Sequence, residues 1–176
     1  MIPLVAAGNR GKTHTLNLLA KVFIEKSESQ LTDTYSVERL DDNSFTEKED
    51  NMYAFRIKTL DGFSKVVITT QGDDETHIRN AKAFVDRYWS VESRDTLFWF
   101  LASRTSGSSW NQVLDYEKQL CDSSKRYWTY KGNLWTTDIS TKLSVFQKGA
   151  FSKWNQQDAL RLFELFEVLV HQEELE

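Results

Sequence analysis

Cysteine and proline are almost absent from this chain. Cys121 is the only cysteine, and the 176 residues contain one proline and seven glycines. A single cysteine excludes an internal disulfide and a thiolate-rich metal site, which fits a reducing compartment. The low proline and glycine content excludes a linker-rich or low-complexity sequence.

A charge excess and long apolar runs are also missing. The formal net charge is -4 at pH 7, so the composition provides no broadly basic surface and we expect no nucleic-acid partner. The first apolar run, residues 2–7, is too short for a signal peptide, and no run reaches the ~20 apolar residues of a membrane span. These absences predict a cytoplasmic protein without membrane contact.

The chain does contain enough apolar residues, 40% of the sequence, for the core of one domain over residues 1–176. Apolar or alternating runs predict strands at 2–7, 52–60, 64–70 and 96–103, and Asp61-Gly62 predicts a hairpin between the middle two. Helical spacing predicts helices at about 13–25, 76–89, 110–130 and 156–171, with a last short strand at 133–140. This order favours an α/β fold, specifically a three-layer α/β/α sandwich with a mainly parallel sheet and one antiparallel hairpin.

Two polar regions interrupt this pattern. Residues 27–51 are acidic and only weakly periodic, and they are long for a connection inside a compact domain. We predict either a functional loop or a partly mobile segment there, which a protein partner would order. In the last helix a polar stripe, formed by Asp158, Arg161, Glu164 and Glu167, is typical of an ordinary solvated face.

The connection between the first strand and the first helix has the sequence AAGNRGKT, residues 6–13. It follows the pattern GxxxxGK[ST] except that Ala6 replaces the first glycine. In this pattern backbone N–H groups surround phosphates, Lys12 contacts the β- and γ-phosphates, and the Thr13 hydroxyl ligates Mg²⁺. The dipole of the following helix favours the same anion.

This stretch resembles the Walker A motif of the P-loop NTPase superfamily. The resemblance implies one P-loop NTPase-like domain that binds ATP or GTP together with Mg²⁺. The residues that it assigns to the nucleotide are Gly8, Asn9, Arg10, Gly11, Lys12, Thr13 and His14.

A second cluster, TTQGDD at residues 69–74, resembles the D-x-x-G element of GTPase-like folds, with Thr69 in the place of the aspartate. In one interpretation Asp73 or Asp74 supplies a carboxylate for Mg²⁺ or water, with Asp73 as a metal ligand, and Gln71 orients the attacking water. In the other, the aspartates are the N-cap and first turn of the next helix. By analogy with these folds, one of Thr32, Thr34 or Ser36 would reach the metal.

A third cluster follows the strand at 96–103. Because ligands bind outside the carboxyl ends of strands in open α/β sheets, Arg104 is expected to face the same crevice as Lys12 and to stabilise phosphoryl charge. The alternative is a surface arginine that caps a turn. Together, GNRGKTHTL, TTQGDD and ASRTSG resemble small bacterial or phage P-loop proteins of unassigned function.

These features leave several functions open. The first is an Mg²⁺-dependent nucleoside triphosphatase of the switch or regulatory type, with Lys12, Gln71, Asp73, Asp74 and Arg104 as candidate catalytic residues. No N/T-K-x-D motif specifies guanine, so ATP is at least as well supported as GTP. The others are a small-molecule or nucleotide kinase, a nucleotide-binding interaction module with little turnover, and a structural protein with a degenerate loop.

Overall fold

The computed structural model describes residues 1–6, 11–29, 35–59, 62–120, 129–130 and 145–172. Within these ranges the chain forms six strands and four helices. The strands are β1 (Ile2–Val5), β2 (Ser36–Arg39), β3 (Met52–Lys58), β4 (Phe63–Thr69), β5 (Thr96–Ser103) and β6 (Thr129–Tyr130). The helices are α1 (Lys12–Glu28), α2 (Glu75–Tyr88), α3 (Ser108–Leu120) and α4 (Val145–Gln172). The α/β class is therefore confirmed.

The six strands form one mixed sheet in the order β2-β3-β4-β5-β1-β6. Strands β4, β5, β1 and β6 are parallel to one another, whereas β3 is antiparallel to both β2 and β4. The predicted hairpin is confirmed, with Met52 opposite Thr69 and Lys58 opposite Phe63. The carboxyl ends of β1, β4 and β5 consequently lie at one edge of the sheet, with β5 in the middle.

The prediction of a single antiparallel pair was wrong, because the sequence did not indicate β2. This strand lies in the segment that was predicted to be a loop, and it pairs with β3 from Ser36 to Arg39. It is short and lies at the edge of the described sheet, and its side chains are only exposed or half-buried. Such a strand depends on hydrogen bonds to its neighbour, so the sequence carries little apolar signal for it.

Two helix predictions also differ from the structure. Helix α3 ends at Leu120, and Thr129 and Tyr130, which were assigned to the same helix, pair with β1 as strand β6. Helix α4 begins at Val145, eleven residues before the predicted start at 156. The strand predicted at 133–140 lies outside the described residues. None of the helices in the described ranges is long and apolar enough to cross a membrane.

The polar stripe of α4 is not solvated along its whole length. Glu167 accepts a hydrogen bond from the Tyr35 hydroxyl at 3.0 Å and lies 3.5 Å from the Lys26 ammonium. Glu167 therefore joins α4 to α1 and to the residue before β2, whereas Arg161 and Glu164 are exposed as predicted.

Apolar side chains from the sheet divide between two clusters. In β5, Phe98 and Phe100 enter a cluster with α1 and α4, while Trp99 and Leu101 enter a second cluster with α2 and α3. The other central strands alternate in the same way, as the period of two in a strand requires. Helices α1 and α4 also pack directly on each other through Phe23, which contacts the rings of Phe163 and Phe166.

Candidate phosphate site at the carboxyl edge of the sheet

The connections that leave β1, β4 and β5 meet at one edge of the sheet. The chain continues from β1 into α1 and from β5 into α3, and these two helices belong to different apolar clusters. Adjacent parallel strands whose connections diverge in this way leave a crevice at their carboxyl ends, where open α/β sheets bind ligands. A cleft of about 370 Å³ lies at this edge, lined by Gly11, Lys12, Thr13, His14, Lys48, Asp50, Thr70, Gly72 and Asp73.

Helix α1 begins at this cleft. Its N-cap is Gly11, which has a φ of +77°, in the left-handed region that glycine tolerates best. Gly11 has no side chain that could cap the helix, and the first turn contains no acidic residue. The N–H groups of a first helical turn lack partners within the helix, and the helix dipole favours an anion beside them.

Helix α4 closes the other side of Gly11. A Cβ atom on Gly11 would lie 2.5 Å from Oδ1 of Asn155 and 3.0 Å from Cε1 of Phe151. Asn155 is buried, and its Oδ1 also accepts a hydrogen bond from the Thr15 hydroxyl at 3.3 Å. The sequence analysis missed Asn155, because it lies in the mostly polar stretch SKWNQQD, where nothing distinguishes it from its neighbours.

Lys12 is buried although it carries an ammonium group. Its Nζ donates to the carbonyl oxygen of Ala6 at 3.1 Å and lies 3.6 Å from Oδ1 of Asp73. Burial lowers the pKa of Lys12 from its ordinary value, and the Asp73 carboxylate partly opposes that shift. The end of β1 and the turn after β4 therefore fix the position of this cation at the cleft.

Asp73 also contacts the turn after β5. Nε of Arg104 lies 3.5 Å from the same Oδ1 atom, and both side chains are about half exposed. The structure thus brings Lys12, Asp73 and Arg104 together, with one carboxylate between two cations. Arg104 contacts Asp73 beside the cleft but is not among the residues that line it.

The neighbouring aspartate has a different role. Asp74 is the N-cap of α2, and its carboxylate accepts a hydrogen bond from the N–H of His77 at 2.9 Å. Asp74 therefore matches the capping interpretation, while Asp73 faces the cleft. Gln71 is half-buried and is not among the residues that line the cleft.

The position of the missing aspartate is occupied by a core residue. Thr69 is fully buried, and its hydroxyl accepts a hydrogen bond from Nε1 of Trp99 at 3.0 Å. Gly72 lies so close to β5 that a Cβ atom would be 1.9 Å from the carbonyl oxygen of Ala102. The turn after β4 is thus packed tightly against β5 and turns its next residue, Asp73, towards Lys12.

Residues 46–51 lie along the first two turns of α1. The Thr13 hydroxyl donates to Oδ1 of Asp50 at 2.9 Å, Nδ1 of His14 lies 2.8 Å from the carbonyl oxygen of Glu47, and Nδ2 of Asn17 donates to the carbonyl oxygen of Glu49 at 2.9 Å. This part of the segment, which was predicted to be either a functional loop or partly mobile, is therefore attached to the helix. Sequence analysis missed Asp50, because nothing in the local sequence links it to the phosphate loop.

Other predicted residues do not reach the cleft or cannot be assessed. Gly8, Asn9, Arg10, Thr32 and Thr34 lie outside the described residues. Ser36 is opposite Lys58, which is opposite Phe63 at the start of β4. Ser36 therefore lies at the far edge of the sheet, roughly six strand residues or about 20 Å from the carboxyl edge, and its predicted contact with a metal was wrong.

Oxygen ligands for a divalent cation are present at the cleft. In the described part of the chain, no three His, Cys, Asp or Glu side chains are grouped as a metal site. Mg²⁺ does not need such a group, because it is commonly held by one or two carboxylates together with substrate phosphates and water. The Thr13 hydroxyl and the carboxylates that line the cleft fit that requirement.

Comparison with known proteins identified no relative of this chain. No protein-family model matches the chain, and neither a curated protein nor a solved structure is significantly similar to it. The functional assignment therefore depends on the chemistry of the cleft.

Proposed function

We propose that this chain is a P-loop NTPase-like protein that binds ATP or GTP with Mg²⁺ and hydrolyses the terminal phosphoanhydride bond. The observation that supports this proposal best is the buried Lys12 ammonium at the start of α1, directly after a left-handed Gly11. A buried cation at a helix N-terminus attracts an anion through both its charge and the helix dipole. The GKT sequence at this location is the part of the Walker A motif that contacts phosphate and metal.

Four residues in or beside the cleft have a role in this proposal. Lys12 neutralises the β- and γ-phosphates, and the first-turn N–H groups of α1 donate to their oxygens. Thr13 would hold Mg²⁺ with Asp73 as a further ligand, and the ion would supply further positive charge at the transferring phosphoryl group. In hydrolysis a water oxygen bonds to the terminal phosphorus and the bond to the bridging oxygen breaks, giving nucleoside diphosphate, inorganic phosphate and a proton. Arg104 stabilises the charge that develops on the phosphoryl oxygens.

The finer description of the fold belongs to the same proposal. We propose a three-layer α/β/α sandwich in which α1 and α4 cover one face of the sheet and α2 and α3 cover the other. The alternation of strand side chains between the two apolar clusters supports this arrangement.

We also propose a cytoplasmic location, in keeping with the single cysteine. A protein partner is proposed to contact segment 27–51, in which most of the described side chains are exposed or half-buried.

A second candidate is a nucleotide-binding interaction module with little turnover. Two observations favour it: the Asp73 carboxylate is engaged by two cations, and Gln71 does not line the cleft. Hydrolysis requires a group that orients the attacking water, and neither side chain is arranged for that task. The two candidates share the phosphate site and differ only in the rate of phosphate release.

A melting-temperature panel with ATP, GTP and their non-hydrolysable analogues, with and without Mg²⁺, tests the binding proposal. We expect stabilisation by at least one triphosphate, because a ligand that binds only the folded state raises its stability. Lys12→Ala should abolish this stabilisation, and Lys21→Ala, which removes an exposed lysine of the same helix, should retain it. Equal stabilisation of the Lys12 variant would exclude this cleft as the phosphate site.

Phosphate release then separates the two candidates. Steady release of inorganic phosphate that Lys12→Ala removes supports hydrolysis. Stabilisation by ATP or GTP without phosphate release supports the interaction module. If no nucleotide shifts the melting temperature, both candidates are wrong.

A further inference from the structure

The cleft contains a carboxylate that neither motif of the sequence predicts. In P-loop proteins the loop hydroxyl and a strand-end aspartate hold Mg²⁺ together, but the end of β4 carries Thr69, which is buried and bonded to Trp99. The end of β4 therefore does not supply the carboxylate that is expected there. Asp50, which comes just before β3, has its Oδ1 atom 2.9 Å from the Thr13 hydroxyl.

Antiparallel pairing explains why Asp50 is at this edge. Met52 is opposite Thr69, so the start of β3 lies beside the end of β4. The pairing continues one residue further, since Asn51 N–H donates to the Thr70 hydroxyl at 2.7 Å and Thr70 N–H donates to the Asn51 carbonyl at 3.0 Å. An aspartate two residues before β3 therefore lies at the same edge of the sheet as an aspartate at the end of β4 would.

The backbone on both sides of Asp50 is fixed. On one side, Asn51 is bonded to Thr70 as described; on the other, the Glu49 carbonyl accepts from Nδ2 of the buried Asn17. Although the Asp50 side chain is exposed, its backbone is therefore held between α1 and β4. A carboxylate with a fixed backbone loses little freedom when it binds a metal, which favours binding.

The two carboxylates of the cleft face different groups. Asp73 lies between the Lys12 ammonium and the Arg104 guanidinium, so a metal ion that binds it must compete with two cations. Asp50 accepts from the neutral Thr13 hydroxyl, the group that the loop motif offers to Mg²⁺. Asp50 therefore contacts a second candidate ligand of the metal, the Thr13 hydroxyl, whereas Asp73 contacts two cations.

We infer that Asp50 is the principal carboxylate that holds Mg²⁺ in this cleft, either directly or through a bound water, together with the Thr13 hydroxyl. This inference rests on the proposed function, because the metal enters with the phosphates of a nucleotide. It changes the role of segment 46–51 from a connecting loop to a part of the site. The contacts of His14 and Asn17 with this segment then position the carboxylate.

The test compares nucleotide affinity with and without metal. The dissociation constant of a fluorescent non-hydrolysable triphosphate is measured in excess Mg²⁺ and in EDTA. The value in EDTA divided by the value in Mg²⁺ reports the metal contribution, and this quotient is called the metal ratio. We expect Asp50→Asn to reduce this ratio roughly 10- to 100-fold and to leave the affinity in EDTA unchanged or slightly tighter. Asp50→Glu keeps the carboxylate and should restore part of the ratio.

Glu49→Gln is the matched control, because it removes the same charge from the adjacent exposed residue while the backbone contact to Asn17 remains. It should retain the wild-type ratio. The combination of Asp50→Asn with Thr13→Ala should cost little more than the larger single effect, because both residues act on one ion. A wild-type ratio in Asp50→Asn, or an equal loss in Glu49→Gln, overturns the inference.

The outcome also distinguishes this inference from the proposed function. If wild type binds the triphosphate in EDTA and Asp50→Asn does not alter the metal ratio, the nucleotide site stands and the Asp50 assignment is wrong. If wild type binds no triphosphate under either condition, the proposed function is wrong and the inference is overturned with it. Circular dichroism of each variant verifies that it is folded.

Discussion

The Nζ atom of Lys12 lies 3.6 Å from Oδ1 of Asp73, and the two side chains differ sharply in exposure, at 6% for Lys12 and 53% for Asp73. The cation is fixed at the end of β1, while the carboxylate stands at the open side of the cleft. In the proposed function, an incoming phosphate would therefore compete with Asp73 for the same ammonium group. Four predictions follow from this pair and its surroundings.

Asp73→Asn should tighten the binding of Mg²⁺-free nucleotide or inorganic phosphate, because it removes a negative charge between Lys12 and Arg104. Asp74→Asn is the matched control, since Asp74 caps α2 and has no contact with Lys12 among those described. Calorimetric titration in EDTA compares the two variants. Equal affinities in both would show that Asp73 does not compete with the ligand.

The lowered pKa of Lys12 predicts a specific dependence of stability on pH. Between the folded pKa and the ordinary value of 10.5, the unfolded chain binds a proton that the folded chain lacks. The contribution of Lys12 to the free energy of unfolding therefore rises as pH increases through this window. Burial also lowers the pKa of Lys65, so the measurement must be a difference between proteins.

Urea unfolding of wild type and Lys12→Met from neutral pH to pH 10.5 measures this contribution. The free energy of unfolding of wild type should rise relative to that of Lys12→Met over this range. Lys21→Met, which removes an exposed lysine from the same helix, is the control for the loss of a lysine side chain. A difference between wild type and Lys12→Met that stays constant with pH would contradict the shifted pKa of Lys12.

Gly11→Ala should destabilise the protein more than Gly107→Ala. Both glycines have positive φ, +77° and +87°, so both substitutions incur a left-handed cost of roughly 1–2 kcal/mol. Of the two, only Gly11 brings the new Cβ against atoms of Asn155 and Phe151, whereas among the described residues nothing lies within 4 Å of a Cβ at Gly107. The difference in melting temperature between the two variants reports the cost of the contact between the new Cβ and α4. Equal losses of stability in both variants would argue against such a cost.

Arg104→Ala should reduce phosphate release on the order of 10²-fold, as expected when one donor to a developing charge is removed. Its effect on stability should be small, about 0–1 kcal/mol, because its ion pair with Asp73 is half exposed. Arg94→Ala, which removes an exposed arginine before β5 at the opposite edge of the sheet, is the control. Rates and melting temperatures are measured on the same samples; unchanged release in Arg104→Ala would remove Arg104 from the mechanism.

Most of the sheet was predictable because its central strands carry long apolar runs. Strand β5 was predicted with the same bounds that the structure shows, 96–103, and both strands of the hairpin around Gly62 were found. The two outermost strands of the described sheet were not, since β2 has no buried residue and β6 has only two residues. Pairing with a neighbour determines their conformation, and the local sequence contributes little.

The candidate site was only partly predictable for a related reason. Lys12, Thr13 and Gly11 follow one another in the chain, so a motif can identify them. Asp50 and Asn155 come from distant parts of the sequence, before β3 and within α4. Their proximity to the loop depends on antiparallel pairing and on helix packing, which a search for local patterns does not detect.

The sequence by itself determined the α/β class, the central strands and the phosphate-loop hypothesis, because hydrophobic periodicity and a contiguous motif are local properties of the chain. Only the tertiary structure decided which of the two adjacent aspartates faces Lys12, since Asp74 caps a helix and Asp73 does not. It also decided that Thr69 belongs to the core and that Asp50 lies beside Thr13. These outcomes depend on strand order and register, which bring together residues far apart in the chain.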